Sequence, residues 1–167
     1  MTILMSYFAC LKIKSFGGGN YFPLPLTKAW IFWDKEVPSG VSFADGELAW
    51  TSFDKTLVKA KIPYSGFMGS EGKIHPTQKP VKLYKWLLSN YAKPGDKILD
   101  THVGSASSLI ACYDMNFEYI GFEIDKDYCE SATKRLNARK MQPTIFDIEP
   151  EKQVEQTTLL HMAGGED

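Results

Sequence analysis

The sequence predicts a single-domain α/β fold, and three observations lead to that class. In the second half of the chain, short apolar runs alternate with segments of helical spacing across short connections, an order typical of a parallel sheet. The length of 167 residues leaves room for one ordinary domain. Hydrophobic residues make up 44% and charged residues 23%, which permits a packed core and argues against wholesale disorder.

The first half of the chain carries a weaker pattern. Residues 29–33 and 47–53 are short aromatic and aliphatic runs, and each predicts a strand. Residues 54–76 contain Gly, Pro, Ser and Lys without periodicity. We therefore expect residues 54–76 to form an exposed loop or a small insertion.

The second half predicts its elements more sharply. Pro80 fits the first turn of a helix, and apolar residues continue at helical spacing to Tyr91. The elements expected after it are a strand at 97–100, a helix at 105–115, a strand at 119–123 and a helix at 126–140. We expect the domain to span 1–146, followed by an acidic flexible tail at 147–167.

Several classes of protein are excluded by simple features. No apolar run reaches the roughly 18 residues of a membrane helix, so no membrane partner is expected. The first residues lack a basic leader and a small-residue cleavage site, which favours the cytoplasm. The cysteines Cys10, Cys112 and Cys129 are odd in number and far apart, which argues against a disulfide framework or a metal site. We expect Cys112 and Cys129 to be small buried side chains on helices.

Charge is unevenly distributed, although the formal net charge is only −1. Residues 54–97 contain nine lysines and three acidic residues, whereas residues 114–130 contain six acidic residues and one lysine. A polyanion could therefore meet the middle of the chain. The alternative is that these lysines only form a solvated face.

A candidate nucleotide site lies between the predicted strand at 97–100 and the helix after it. The small residues of 100–107 would let backbone N–H groups approach a ligand. Glu123 ends the next predicted strand, where an acid can accept hydrogen bonds from ribose hydroxyls. The chain has neither G-x-G-x-x-G nor G-x-x-x-x-G-K-[ST], and Asp100 suits a ligand with an ammonium group. The alternative is an ordinary loop with a solvated glutamate.

Three motifs carry a family resemblance: Ile74–Val81, which contains His-Pro-Thr-Gln-Lys-Pro, and the segments Gly95–Ser107 and Gly121–Tyr128. Together they resemble S-adenosylmethionine-dependent DNA amino-methyltransferases, which modify adenine N6 or cytosine N4. The motif order is similar to the branch common in phages and restriction–modification systems, and the similarity covers roughly residues 17–140. It implies a Rossmann-like, three-layer α/β/α sheet, S-adenosyl-L-methionine as cofactor and double-stranded DNA as partner, with adenine preferred over cytosine.

The resemblance also implies roles for individual residues. Cofactor contacts would come from Asp100, Thr101, Gly104, Ser105, Thr77 and Lys79 around the methionine part, Glu123 at the ribose, and Phe122 and Ile124 beside the adenine. DNA phosphates would meet Lys55, Lys59, Lys61 and Lys73, because the family's target-recognition segment falls at 54–76. Ala106 stands where the family usually has a second glycine, which the backbone tolerates if its φ is negative.

The family's Asp/Asn/Ser-Pro-Pro-aromatic tetrapeptide, which orients the target amine and stacks on the flipped base, should precede Gly17. No proline occurs there, so we assign no catalytic residue and expect an N-terminally truncated member with a sheet incomplete at one edge. Tyr64 is a weak substitute for the stacking residue. The alternatives are an inactive cofactor- or DNA-binding remnant, or a half-enzyme completed by a second chain or homodimer. Core packing is favoured over base stacking for Trp30, Trp33 and Trp50.

Overall fold

A computed structural model describes residues 6–7, 15–40, 42, 44–64 and 72–142 of the chain. The elements in chain order are β1 (Ser6–Tyr7), β2 (Ser15–Gly17), a 3-10 turn (Gly19–Tyr21), β3 (Trp30–Asp34), β4 (Gly46–Thr51), β5 (Val58–Lys61), α1 (Val81–Tyr91), β6 (Lys97–Asp100), α2 (Ser107–Asp114), β7 (Glu118–Gly121) and α3 (Lys126–Lys140). No helix in these ranges combines the length and the apolar character that a membrane crossing requires.

The described strands form two sheets. The four-stranded sheet has the order β2-β4-β3-β5, in which β4 is antiparallel to both neighbours and β5 runs parallel to β3. The three-stranded sheet has the order β1-β6-β7, with β1 antiparallel and β7 parallel to β6. The parallel arrangement predicted for the second half of the chain is therefore confirmed for β6 and β7.

The helix and strand predictions for the second half are confirmed closely. The bounds of β6 and α3 coincide with the predicted ones. Helix α2 is shorter by two residues at its start and one at its end, and β7 begins one residue earlier and ends two residues earlier than predicted. Helix α3 begins at its predicted position because the Asp125 carboxylate accepts a hydrogen bond from the Tyr128 N–H (3.0 Å). Pro80 stands one residue before α1 with an extended backbone, rather than inside its first turn.

The prediction of a loop at residues 54–76 is wrong over Val58–Lys61, which forms strand β5. Ala60 is fully buried, and the lysines on either side of it are exposed. This is the period-two pattern of a half-buried strand, but only one small apolar residue between lysines shows it. Residues 65–71 of that stretch and the expected tail at 147–167 lie outside the described residues.

The core lies where helices α1 and α2 pack together and against the sheets. Trp33 is 3% exposed, and its indole N–H donates to the Ile62 carbonyl (2.7 Å). The preference for core packing is thus confirmed for Trp33, whereas Trp30 and Trp50 are half-buried.

The expectation for the helical cysteines holds for one of the two. Cys112 is buried on α2, and burial raises the pKa of its thiol to about 12. Cys129 on α3 is exposed, so its predicted burial is wrong. Cys129 lies about 100° around the helix from Tyr128, which starts the inward-facing stripe of α3.

Candidate functional site

The segment between β6 and α2 forms a tight turn at the end of the parallel pair of strands. The Phe122 N–H donates to the Asp100 carbonyl (2.8 Å), and the Val103 N–H donates to the Phe122 carbonyl (3.0 Å). These hydrogen bonds extend the pairing of β6 with β7 beyond the last residue of each strand. As a result, the turn lies directly beside the segment that follows β7.

Glu123 places its carboxylate on this turn. One oxygen accepts a hydrogen bond from the Gly104 N–H (2.7 Å), and the other accepts from the Asp125 N–H (3.1 Å). Gly104 has φ +54°, a conformation that glycine adopts without steric cost. Glu123 lies two residues beyond the end of β7 rather than within the strand, and its contact with Gly104 brings the acid onto the turn.

Asp100 lies beneath the turn and is 1% exposed. Its carboxyl accepts hydrogen bonds from the His102 N–H (3.0 Å) and from the Ser108 hydroxyl. Burial raises the pKa of this carboxyl, and the two hydrogen bonds only partly oppose that rise. Asp100 forms no ion pair within the described ranges, so it is an acid held without a counter-cation.

Ala106 departs from the expectation of a negative φ, because the structure gives it φ +62°. The residue precedes the first residue of α2 and is 1% exposed. The chain must pass through the left-handed region here to enter the helix, and a Cβ in that region costs roughly 1–2 kcal/mol. The family's usual glycine would adopt this conformation without that strain.

Arg135 braces the turn from α3, a role that the sequence analysis missed. Its guanidinium donates to the Ser105 carbonyl (2.6 Å) and to the Ser107 hydroxyl (2.8 Å). The Ser105 hydroxyl lies 3.0 Å from that of Ser107, so the side chain of this predicted cofactor residue is bonded within the protein. The sequence feature that could have revealed this contact is a cationic residue on the face of α3 that also carries the half-buried Leu136.

The segment before α1 covers one side of the turn. His75 is 3% exposed, and its ring centroid lies 4.3 Å from that of Tyr128. The Thr77 N–H donates to His75 Nδ1 (3.3 Å), and the Thr77 hydroxyl lies 3.2 Å from the same nitrogen. Gln78 fastens the segment by accepting from the Ile74 N–H (3.0 Å).

Lys79, an expected cofactor contact, forms an ion pair within the protein. Its ammonium pairs with Glu47 (3.0 Å), which also pairs with Lys35 (2.9 Å). Burial alone would raise the pKa of Glu47, but the two lysines outweigh it and hold that pKa below its usual value. In this structure Lys79 therefore stabilises a carboxylate of the four-stranded sheet.

The two residues expected beside the adenine lie on the surface next to Glu123. Phe122 is 59% exposed and Ile124 is 99% exposed. Both are large apolar side chains, whose exposure is unfavourable unless something covers them. Their position on either side of the glutamate fits a flat apolar group placed against the end of β7.

Two of the four predicted DNA-contacting lysines already bind protein groups. Lys59 pairs with Asp34 (2.7 Å), and Lys55 donates to the Asn90 carbonyl (3.4 Å) beside the Tyr91 ring. Lys61 and Lys73 are exposed.

Lys73 lines a cleft of about 260 Å³ together with Tyr64. Tyr64 is half-buried there, with its ring centroid 6.4 Å from that of Trp33. The ammonium of Lys35 lies 5.7 Å from the centre of the Tyr64 ring. Tyr64 is thus held by protein contacts within the cleft.

Within the described ranges, no three His, Cys, Asp or Glu side chains lie close enough together to hold a metal ion.

Comparisons with known proteins agree with this geometry. Residues 25–134 match the model of the N6/N4 DNA methylase family. The chain is 41% identical over 66 residues to Type II methyltransferase M.HpaI of Haemophilus parainfluenzae, covering 40% of this chain and 21% of the relative. It is 40% identical over 78 residues to Type II methyltransferase M.HinfI of Haemophilus influenzae, covering 46% and 21% respectively.

A solved structure, the M1.HpyAVI–SAM complex, aligns with a TM-score of 0.50 and 26% identity, covering 65% of this chain and 60% of that one. The predicted Rossmann-like α/β class is thereby confirmed. Because the family model covers well over half of the 167 residues, the chain belongs to the N6/N4 DNA methylase family. The matched stretch is about a fifth of the length of each curated relative.

Proposed function

We propose that this member of the DNA methylase family binds S-adenosyl-L-methionine at the turn between β6 and α2. We further propose that the site serves methyl transfer to an exocyclic amino group in double-stranded DNA. The observation that carries the proposal is the contact between the Glu123 carboxylate and the Gly104 N–H (2.7 Å). It brings an acid onto a glycine turn at the carboxyl end of parallel strands, the arrangement that receives the ribose in nucleotide-binding α/β folds.

The residues around the turn suit the separate parts of this cofactor. Glu123 would accept hydrogen bonds from the ribose hydroxyls, and the exposed side chains of Phe122 and Ile124 would cover the adenine. Asp100, which has no counter-cation among the described residues, would offset the positive charge of the methionine part. Thr101 and Thr77 flank that end of the turn. When bound, the cofactor supplies an electrophilic methyl group on a sulfonium.

The acceptor of the methyl group would be an exocyclic amine of a base in DNA. Of the two possible acceptors, adenine N6 is our first choice. Lys61 and Lys73 are the better candidates for phosphate contacts, because Lys59 and Lys55 already bind protein groups. The printed sequence contains no Pro-Pro pair, and therefore no tetrapeptide of the type that orients the amine. We accordingly propose cofactor binding for this chain by itself, and methyl transfer where such a tetrapeptide is supplied.

Titration calorimetry with S-adenosylhomocysteine tests the cofactor site directly. Glu123→Ala should weaken binding by about 1–3 kcal/mol, because the ribose hydroxyls lose a charged acceptor. Glu118→Ala is the matched control, since Glu118 lies on β7 with its side chain 73% exposed and paired with Lys97. The control should bind like the parent. Equal affinity of the parent and Glu123→Ala would remove Glu123 from the site.

A transfer assay with labelled cofactor and unmethylated DNA tests the second half of the proposal. A complementing segment that carries the tetrapeptide should produce labelled DNA, and the chain alone should produce little. Digestion of the labelled DNA to nucleosides then identifies the methylated base. Absence of label in the complemented reaction would favour a binding remnant over an enzyme.

A further inference from the structure

A cleft of about 500 Å³ lies between helices α1, α2 and α3. Helix α1 contributes Lys82 and Lys85 to its wall, and α3 contributes Arg135 and Arg139. Residues three or four apart share one face of a helix, so cations from two helices face the same space. Asp114, at the end of α2, is the acid among the described residues that line the cleft. Positive charge therefore exceeds negative charge along this lining.

Asp114 holds two of these cations at once. Its carboxylate pairs with the Lys85 ammonium (2.6 Å) and accepts a hydrogen bond from the Arg139 guanidinium (2.8 Å). Burial alone would raise the pKa of Asp114, but these two partners outweigh it and hold that pKa below its usual value. One carboxylate thus offsets only one of two positive charges. Both cations are fixed in position, and their side chains are still 39% and 37% exposed.

Lys82 adds a further positive charge beside this pair. It is exposed on the first turn of α1, and it forms no ion pair within the part of the chain that the structure describes. Arg135 is engaged by the turn between β6 and α2, so the excess of charge rests on Lys82, Lys85 and Arg139. Neighbouring like charges repel each other, and an anion between them would relieve that repulsion.

We propose that this cleft is a binding site for an oligophosphate group, separate from the proposed cofactor site. Arginine and lysine form charge-assisted hydrogen bonds with phosphate oxygens, and these are stronger than hydrogen bonds between neutral groups. The volume of the cleft, about 500 Å³, lies within the range of roughly 300–1,000 Å³ that is usual for small-ligand pockets. The described lining carries no aromatic ring on which a base could stack, so recognition would depend on the phosphates. Two sources supply this chemistry, a free oligophosphate and the backbone of a nucleic acid.

Titration calorimetry with sodium tripolyphosphate on the full chain tests the site, at about 0.15 M salt to screen attraction by distant surface charges. Lys82→Ala combined with Lys85→Ala should weaken binding by about tenfold or more, because two charge-assisted hydrogen bonds are lost while Arg139 keeps its acid. The matched control combines Lys126→Ala with Lys134→Ala, which removes the same charge from exposed positions of α3 outside the cleft. The control should bind like the parent.

A short DNA duplex with a fluorescent label is the second ligand and separates the two sources. If the cleft variant loses affinity for the duplex as well as for tripolyphosphate, the phosphates belong to a nucleic acid backbone. If it loses tripolyphosphate binding and keeps its duplex affinity, they belong to a free oligophosphate. Failure of the parent to bind tripolyphosphate, or equal losses in the cleft variant and the control, would overturn the inference and leave the proposed cofactor site untouched.

Chemical labelling of the parent keeps the inference testable if the cleft variant does not fold. Saturating tripolyphosphate should protect Lys82 and Lys85 from acetylation by acetic anhydride and leave the exposed Lys134 reactive. Mass spectrometry of the digested protein measures the extent of labelling at each lysine. Equal acetylation of Lys82 and Lys85 with and without tripolyphosphate would contradict the proposed site.

Discussion

Two carboxylates, the half-buried Glu47 in one sheet and the buried Asp100 in the other, are held in opposite ways. Glu47 in the four-stranded sheet lies between Lys35 and Lys79, and these lysines lower its pKa despite burial. Among the described residues, Asp100 in the three-stranded sheet accepts hydrogen bonds from a hydroxyl and a backbone N–H and forms no ion pair, and burial raises its pKa. One acid is thus neutralised by two lysines, and the other has no cationic partner in the same part of the chain.

The surroundings of the β6 turn and the four-stranded sheet differ in the same way, in whether polar groups have partners. Around the β6 turn lie an acid that forms no ion pair among the described residues, a left-handed alanine at Ala106 and a buried ring nitrogen of His75 that has no hydrogen-bond partner in the same part of the chain. In the four-stranded sheet, Trp33 is buried and its indole N–H is satisfied by the Ile62 carbonyl. Unfavourable features persist where the surrounding structure enforces them, commonly at functional sites. We infer from this contrast that the four-stranded sheet serves as scaffold and that the turn is the less stable region, as the proposed cofactor site requires.

The largest effect is expected in the scaffold. Trp33→Ala should lower the free energy of unfolding by about 3–5 kcal/mol, because it removes a buried ring and leaves the Ile62 carbonyl without its donor. Trp30→Ala, at a half-buried position of the same strand, should cost clearly less. Urea denaturation of both variants measures the difference. Equal losses would contradict the placement of the core around Trp33.

Neutral substitutions of the two acids should change stability by smaller amounts and in opposite directions. Glu47→Gln should lower stability at pH 7 by about 1–3 kcal/mol, since two nearly buried lysines lose their partner. Asp100→Asn should raise stability by up to about 1 kcal/mol, because it removes an acid whose ionisation the fold opposes. Thermal unfolding at pH 7 gives both values. A stabilising Glu47→Gln would show that the lysines need no carboxylate.

The pH dependence of these effects follows from the direction of each pKa shift. The Glu47 pKa is lowered, so its contribution to stability is present above its usual value of 4.5 and is lost as the pH falls through its folded pKa. The Asp100 pKa is raised, so the folded state retains a proton that the unfolded state has released, and stability declines as the pH rises above 3.8 through the folded pKa. Parallel pH profiles for the two variants would refute the contrast.

A single substitution to glycine in the turn between β6 and α2 should stabilise the protein. Ala106→Gly should raise the free energy of unfolding by about 1 kcal/mol, because glycine relieves the left-handed strain at φ +62°. Asn116→Gly, at φ 64°, is the matched control and should gain less, since asparagine tolerates that region. Chemical denaturation of the two variants decides the matter. A destabilised Ala106→Gly would mean that packing of the buried methyl outweighs the strain.

The sequence predicted what depends on local patterns and missed what depends on contacts between distant residues. The turn after Asp100, the acid at Glu123 and helix α3 with its Asp125 cap all follow from short spacings. Strand β5 was missed because its stability comes from pairing with β3, some 27 residues earlier in register (Ile31 opposite Val58).

Two side-chain contacts and one backbone conformation also required the folded structure. The hydrogen bond from Arg135 to the Ser105 carbonyl joins residues 30 apart, and no local pattern predicts it. The backbone of Ala106 was misjudged because φ is set by the way the turn enters α2. The ion pair of Lys79 joins it to Glu47 in a strand distant in sequence, and its expected cofactor contact stays a prediction.

The most direct test of the central claim, that Asp100 is kept without an ion pair for the ammonium group of the ligand, is calorimetry with S-adenosylhomocysteine on three proteins. These are the parent, Asp100→Asn and, as a control, Asp114→Asn, whose side chain is 7% exposed and already paired with Lys85 and Arg139. We expect Asp100→Asn to bind about tenfold more weakly, although it unfolds at a higher temperature, and Asp114→Asn to retain parental affinity. If Asp100→Asn gains stability and binds with parental affinity, Asp100 has no role in ligand binding and the contrast between the two sheets fails.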